Sequence, residues 1–186
     1  MAKNLALLTF VCCILCGSFG ALAEERTSDE YQVKAAYLLN FAKFVEWPQG
    51  VFSGPDAPIT LCVLGKNPFG NMLDAIQGKV VNGRKVLVNL SMDVQNVKVC
   101  HLLFVSASEE ASLPSILKEL KDTKILVAGD MQHFAQRGGV IGFVTRDMKI
   151  GFEINVDAAR RSGITISSRL LSLARVVHDS PDGWGN

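Results

Sequence analysis

The chain has 186 residues, 48% of them hydrophobic, with 19 basic against 18 acidic side chains and a formal net charge of +1. That length suits one domain with a sizeable core. The charge is balanced along the chain, which excludes the clustered basic excess of a nucleic-acid-binding protein.

The first 23 residues, MAKNLALLTFVCCILCGSFGALA, combine Lys3, an apolar run from Leu5 to about Cys16, and an Ala21-Leu22-Ala23 site. This is the pattern of a cleavable secretory signal peptide. The apolar run is shorter than the roughly 20 residues that span a bilayer. Val11, Cys12 and Leu15 precede the leader cysteines where a lipoprotein would carry Gly, Ala or Ser. Cleavage is predicted after Ala23, leaving a mature domain over 24–186 with 18 basic and 18 acidic side chains. Three of the five cysteines leave with the leader. Cys62 and Cys100 remain in a chain directed to an oxidising compartment, as a single disulfide or as two buried thiols. Their spacing excludes a CxxC redox pair.

Thr27-Ser28-Asp29-Glu30 has the form of a capping box and predicts a helix starting near residue 28. Val33, Tyr37, Leu38, Phe41, Phe44 and Val45 fall on one half of that helix, with Asn40, Lys43 and Glu46 opposite. Trp47 before Pro48 ends it. Strands are expected over 59–64, 84–90, 101–105 and 124–128, and helices over 67–77 and 113–121. Segments 140–146 and 149–155 read as a hairpin across Asp147-Met148. A short helical turn over 156–161, an extended link over 163–166 and a final helix over 167–178 complete the chain, with a frayed SPDGWGN tail. In the last helix Leu170, Leu171, Leu173, Ala174 and Val177 share a face, opposite Ser168, Ser172 and Arg175. Strands interleaved with helices predict an α/β fold: a single domain with a mixed, mostly parallel sheet and helices on both faces.

Motifs for catalysis are missing from the sequence. GKNPFG has Gly70-Asn71-Met72 where a phosphate-binding loop needs Gly-Lys-Ser/Thr, so it reads as a strand-to-helix turn. His101, His133 and His178 are scattered, without metal-ligand spacing. No nucleophile elbow is present. No catalytic residue, metal site or cofactor is expected. Asn89-Leu90-Ser91 is read as a chance sequon.

Two features stand apart. Glu153 and Asn155 lie two apart on one side of a strand in an apolar setting. They either face solvent and cap the next helix, or line a small polar-bottomed pocket with Phe152 and Arg169 beside the C-terminal helix. On the first helix Leu39, Lys43 and Trp47 form an outer edge suited to a protein contact, although scattered exposed apolar residues are common.

The stretches YQVKAAYLLNFAKFVEWP, CVLGKNPFG, VNGRKV, CHLLFVSASE, GGVIGFV, KIGFEIN and ISSRLLSLARVV together resemble the YfiR family of exported bacterial proteins, from about Tyr31 to Val177. The resemblance implies a compact α/β periplasmic regulator that tends to dimerise and is not an enzyme. It would repress an inner-membrane diguanylate cyclase by binding its periplasmic region, lowering cyclic di-GMP and biofilm formation. An outer-membrane, peptidoglycan-binding lipoprotein would relieve it by sequestration. Cys62 and Cys100 match the family's core disulfide. A second cysteine pair known in the family has no counterpart here, because the matching region around Ala135 to Gly142 contains no cysteine. The alternative function is a periplasmic module that binds a small metabolite.

Overall fold

Side chains alternate across the strands so that each central strand serves two cores. The computed structural model describes residues 29–147 and 149–179, with backbone alone at Ser91 and Met92. The predicted signal peptide, the capping-box residues Thr27 and Ser28, and the tail over 180–186 lie outside these residues.

Helix α1 runs over 29–44. It is followed by β1 (Val45–Glu46), β2 (Ile59–Leu64), β3 (Val80–Val81), β4 (Arg84–Met92) and β5 (Leu102–Val105). Then come α2 (Leu113–Leu120), β6 (Leu126–Gly129), β7 (Ile141–Arg146), β8 (Lys149–Asn155), α3 (Val156–Arg161), β9 (Thr165–Ile166), α4 (Ser168–Leu171) and β10 (Arg175–Val177). The main sheet has eight strands in the order β10-β8-β7-β6-β5-β2-β4-β3. Five neighbouring pairs are parallel; only β7–β8 and β3–β4 are antiparallel. The expected α/β class, with a mostly parallel sheet, is observed.

Leu61, Val63, Leu102, Phe104, Leu126 and Ala128 join the core that holds α1. Cys62, Leu64, Leu103, Val105 and Val127 join the opposite core, which holds α2. The α1 layer is aromatic: Phe41 lies 5.0 Å from Phe152 and 5.5 Å from Phe143, and Phe69 lies 4.8 Å from Phe104 between ring centroids. The α2 layer contains the Cys62–Cys100 disulfide, with Cα atoms 5.9 Å apart.

Several sequence expectations are corrected. Val33, placed on the core face of the first helix, is 43% exposed; the buried stripe is Lys34, Ala35, Leu38, Phe41, Ala42 and Val45. Tyr37 and Phe44 flank it, partly buried. The helix stops at residue 44 because Val45–Glu46 pair antiparallel with Thr165–Ile166, turning the expected link over 163–166 into a strand. The helix expected over 67–77 is a single 3-10 turn at Met72–Ala75. Asn67 accepts from the Phe69 N–H and donates to the Gly70 carbonyl, a local turn that competes with helix. Gly70 then takes φ 56°. The predicted final helix over 167–178 is the largest departure. Only Ser168–Leu171 is α-helical, Leu173 is 68% exposed, and Arg175–Val177 form a parallel edge strand on β8. Pairing with β8 overrides the helical periodicity, and the β-branched Val176 and Val177 favour the extended form.

Candidate functional site

The buried stripe of α1 includes a lysine, and the chemistry of the site begins there. Lys34 points at the end of β6, where Asp130 follows Gly129. Its Nζ lies 2.6 Å from Asp130 Oδ2 and 2.6 Å from Glu30 Oε1. The Tyr31 hydroxyl donates to the same Asp130 oxygen at 2.9 Å. Burial, and then the charge of Asp130, push the Tyr31 hydroxyl well above its ordinary pKa, so it stays a donor. The side chains of Lys34 and Asp130 are 4% and 6% exposed. Asp130 Oδ1 is buried and has no partner among the described residues.

A second buried carboxylate comes from β8. The Glu153 side chain is 4% exposed and pairs with Arg175, its register neighbour on β10. Arg146 of β7 stands 3.8 Å away. Both arginines are at least half exposed. Lys34, Asp130, His133, Phe143, Glu153 and Arg175 bound a cavity of about 370 Å³ beyond the carboxyl end of β6. The 131–139 segment approaches the sheet closely because Gly129 and Gly139 carry no Cβ, which would overlap the Phe134 ring.

The structure does not assemble the four predicted pocket residues. Glu153 lines this cavity. Phe152 points the other way, into the aromatic core. Asn155 caps α3, accepting from the Asp157 and Ala158 N–H groups and donating to the Ala135 carbonyl and to Asp179. Arg169 lies over the Phe44 ring at 5.3 Å. Sequence reading missed Lys34, Asp130 and Arg175. A signal for Lys34 was available: residues 34, 38, 41 and 45 follow the helical core spacing, which puts a lysine on the apolar stripe.

At the outer edge of α1, Lys43 is exposed and Leu39 packs partly against the core. Trp47, predicted as an outer contact, is half-buried and donates from Nε1 to the His101 carbonyl at 3.2 Å. His101 organises the neighbouring loop. Its Nδ1 accepts from the Thr60 N–H at 3.0 Å, so this nitrogen is unprotonated. Its ring stacks on Phe52 at 4.5 Å, and the Arg84 guanidinium covers the other side of Phe52 at 3.9 Å. Burial lowers the His101 pKa, and Arg84 lowers it further. Gly50, Val51, Thr60, Cys100, His101 and Lys124 line a second cavity of about 590 Å³.

Among the described residues no helix is long and apolar enough to cross a membrane, and no cluster of side chains suits a metal ion. Two solved structures show partial likeness. One is a conserved domain protein from Vibrio cholerae O1 biovar El Tor (TM-score 0.47, 13% identity), covering 63% of this chain and 54% of that one. The other is an ABC domain in complex with L-Trp from Streptococcus pneumoniae (TM-score 0.47, 12% identity), covering 64% and 55%. The chain thus spans about half the length of each. The YfiR/HmsC-like family model matches residues 31–175. The chain belongs to the YfiR/HmsC-like family.

Proposed function

We propose that this chain, exported by cleavage after Ala23, represses an inner-membrane diguanylate cyclase by stoichiometric contact with the periplasmic region of that enzyme. The family match over residues 31–175 carries the reading. The chain would thereby lower cyclic di-GMP and restrain biofilm formation. An outer-membrane, peptidoglycan-binding lipoprotein is the proposed sequestering partner, and a homodimer the proposed resting form.

Balanced charge means that the contact rests on apolar anchors rather than on long-range steering. Leu39 and Lys43 on the outer edge of α1 are the proposed contact. Trp47, the third proposed contact residue, has its indole tied to His101 and packs edge-on to Phe52 at 5.8 Å. Leu39→Asp should abolish periplasmic crosslinking to the cyclase and raise cyclic di-GMP, as deletion of the gene should, while the exported protein keeps its circular dichroism. Unchanged cyclic di-GMP on deletion, with no membrane signalling protein captured by crosslinking, would refute the repressor reading.

The cavity at Asp130 and Glu153 favours a second, compatible reading, in which a small molecule biases partner binding through different affinities for free and bound forms.

A further inference from the structure

The cavity beyond β6 is costly to maintain. Lys34, Asp130 and Glu153 each have side chains more than nine-tenths buried at its wall. Buried ion pairs are often replaceable by apolar residues without loss of stability. Met131, Phe134 and Phe143, all buried beside them, show that apolar packing is available here.

Asp130 Oδ1 adds a specific requirement. It is a buried acceptor without a partner among the described residues, so an ordered water or a ligand group supplies its donor. The neighbouring charges restrict what that molecule can be. Glu30, Asp130 and Glu153 balance Lys34, Arg146 and Arg175. Each cation already lies on a carboxylate: Lys34 on Glu30 and Asp130, and both arginines on Glu153. A ligand with a net charge would unbalance this set. A hydroxyl group does not, and it donates through its hydrogen and accepts through its lone pairs. One hydroxyl can donate to Asp130 while another accepts from the half-exposed guanidinium of Arg175 or Arg146. Val144, on the same face of β7 as Arg146, offers an apolar wall for the C–H face of a ring. The volume of about 370 Å³ is at the small end of ligand pockets, and the position beyond the carboxyl end of a parallel strand is where open α/β sheets commonly bind ligands.

We infer that this cavity binds a neutral polyhydroxylated molecule of sugar size through Asp130, Glu153, Arg146 and Arg175. This rests on the ligand-binding reading above and gives it a ligand class. The test is saturation-transfer NMR on the purified mature chain with D-glucose, D-ribose and N-acetyl-D-glucosamine, and with glycine betaine and spermidine as charged controls. At least one neutral sugar should show transfer, and its affinity should fall about tenfold or more in both Arg146→Ala and Glu153→Gln, since each removes a charged hydrogen-bonding partner. Arg146 is 64% exposed, so Arg146→Ala keeps the test valid if Glu153→Gln fails to fold. The inference is overturned if no sugar binds at about 10 mM, a concentration that reaches millimolar affinities. It is equally overturned if a folded Arg146→Ala chain binds as the parent does, or if only the charged controls bind. A chain that represses the cyclase but binds no sugar overturns this inference alone. One that binds sugar without repressing overturns only the repressor reading.

Discussion

Replacing both Cys62 and Cys100 with alanine removes the cross-link while keeping apolar atoms in the α2 layer. The bridged residues are 38 apart in sequence, and both are buried, at 0% and 4% exposure. For a loop of that length the chain-entropy account assigns about 4 kcal/mol to the bridge. Domains of this kind have total stabilities of about 5–15 kcal/mol, so the variant should lose a quarter or more of its stability. With roughly 2–4 °C per kcal/mol at this size, the melting temperature should fall by about 10 °C. Urea denaturation of the oxidised parent and the double-alanine variant measures the loss directly. The m-value should rise in the variant, because its unfolded chain is freer to expand. Cys62→Ser should cost a further increment of about 1–3 kcal/mol, since it places a hydroxyl at a fully buried position. A loss under about 1 kcal/mol, with the bridge verified in the parent by peptide mapping, would refute the assignment of stability to loop closure.

Lys34→Met leaves Asp130 with its charge buried and only Tyr31 as donor, and should destabilise the fold by about 3–5 kcal/mol in chemical denaturation. The folded chain holds the His101 pKa below its ordinary 6.5, so the unfolded chain binds the proton more readily. This contribution to stability is therefore complete above about pH 6.5 and is lost as the pH falls toward the folded value. His101→Gln should flatten that slope in denaturation curves collected between about pH 7 and pH 5, and an unchanged slope would count against the role of His101. A Cβ on Gly142 would stand 3.0 Å from the Ala135 backbone N and 3.3 Å from the Ala135 Cβ, tighter than ordinary packing allows. Gly142→Ala should therefore destabilise the fold by about 1–3 kcal/mol in urea denaturation, and an unchanged midpoint would count against this close approach.

The strands of the sheet interior were legible because they are continuous apolar runs bounded by turn residues. ITLCVL is buried at every position and was readable as such from sequence. The β7–β8 hairpin was equally plain, with Asp147 in the left-handed conformation its turn needs (φ 49°). What failed was local periodicity near the chain end. LSLARVV fits a helix by spacing, yet its last three residues are taken by β8, and pairing between distant segments leaves no mark on local spacing. The site was only half legible for the same reason. Glu153 was visible as an acid inside an apolar strand. Asp130, 96 residues from the Lys34 that neutralises it, looked like an ordinary polar residue after a strand.

The strap over 175–179 gives this arrangement a further property. Arg175 is held by Glu153, Asp179 by Asn155 and Arg161, and His178 by Asp157, so the residues that fasten the outermost strand follow one another along β8 and into α3. Glu153 therefore belongs to two equilibria, the filling of the cavity and the docking of β10. By linkage neither can change without the other responding by the same free energy. A molecule that bridges Glu153 and Arg175 tightens the sheet margin, and one that competes for Glu153 loosens it. Under the ligand-binding proposal, the docking of the outermost strand changes with the occupancy of the cavity.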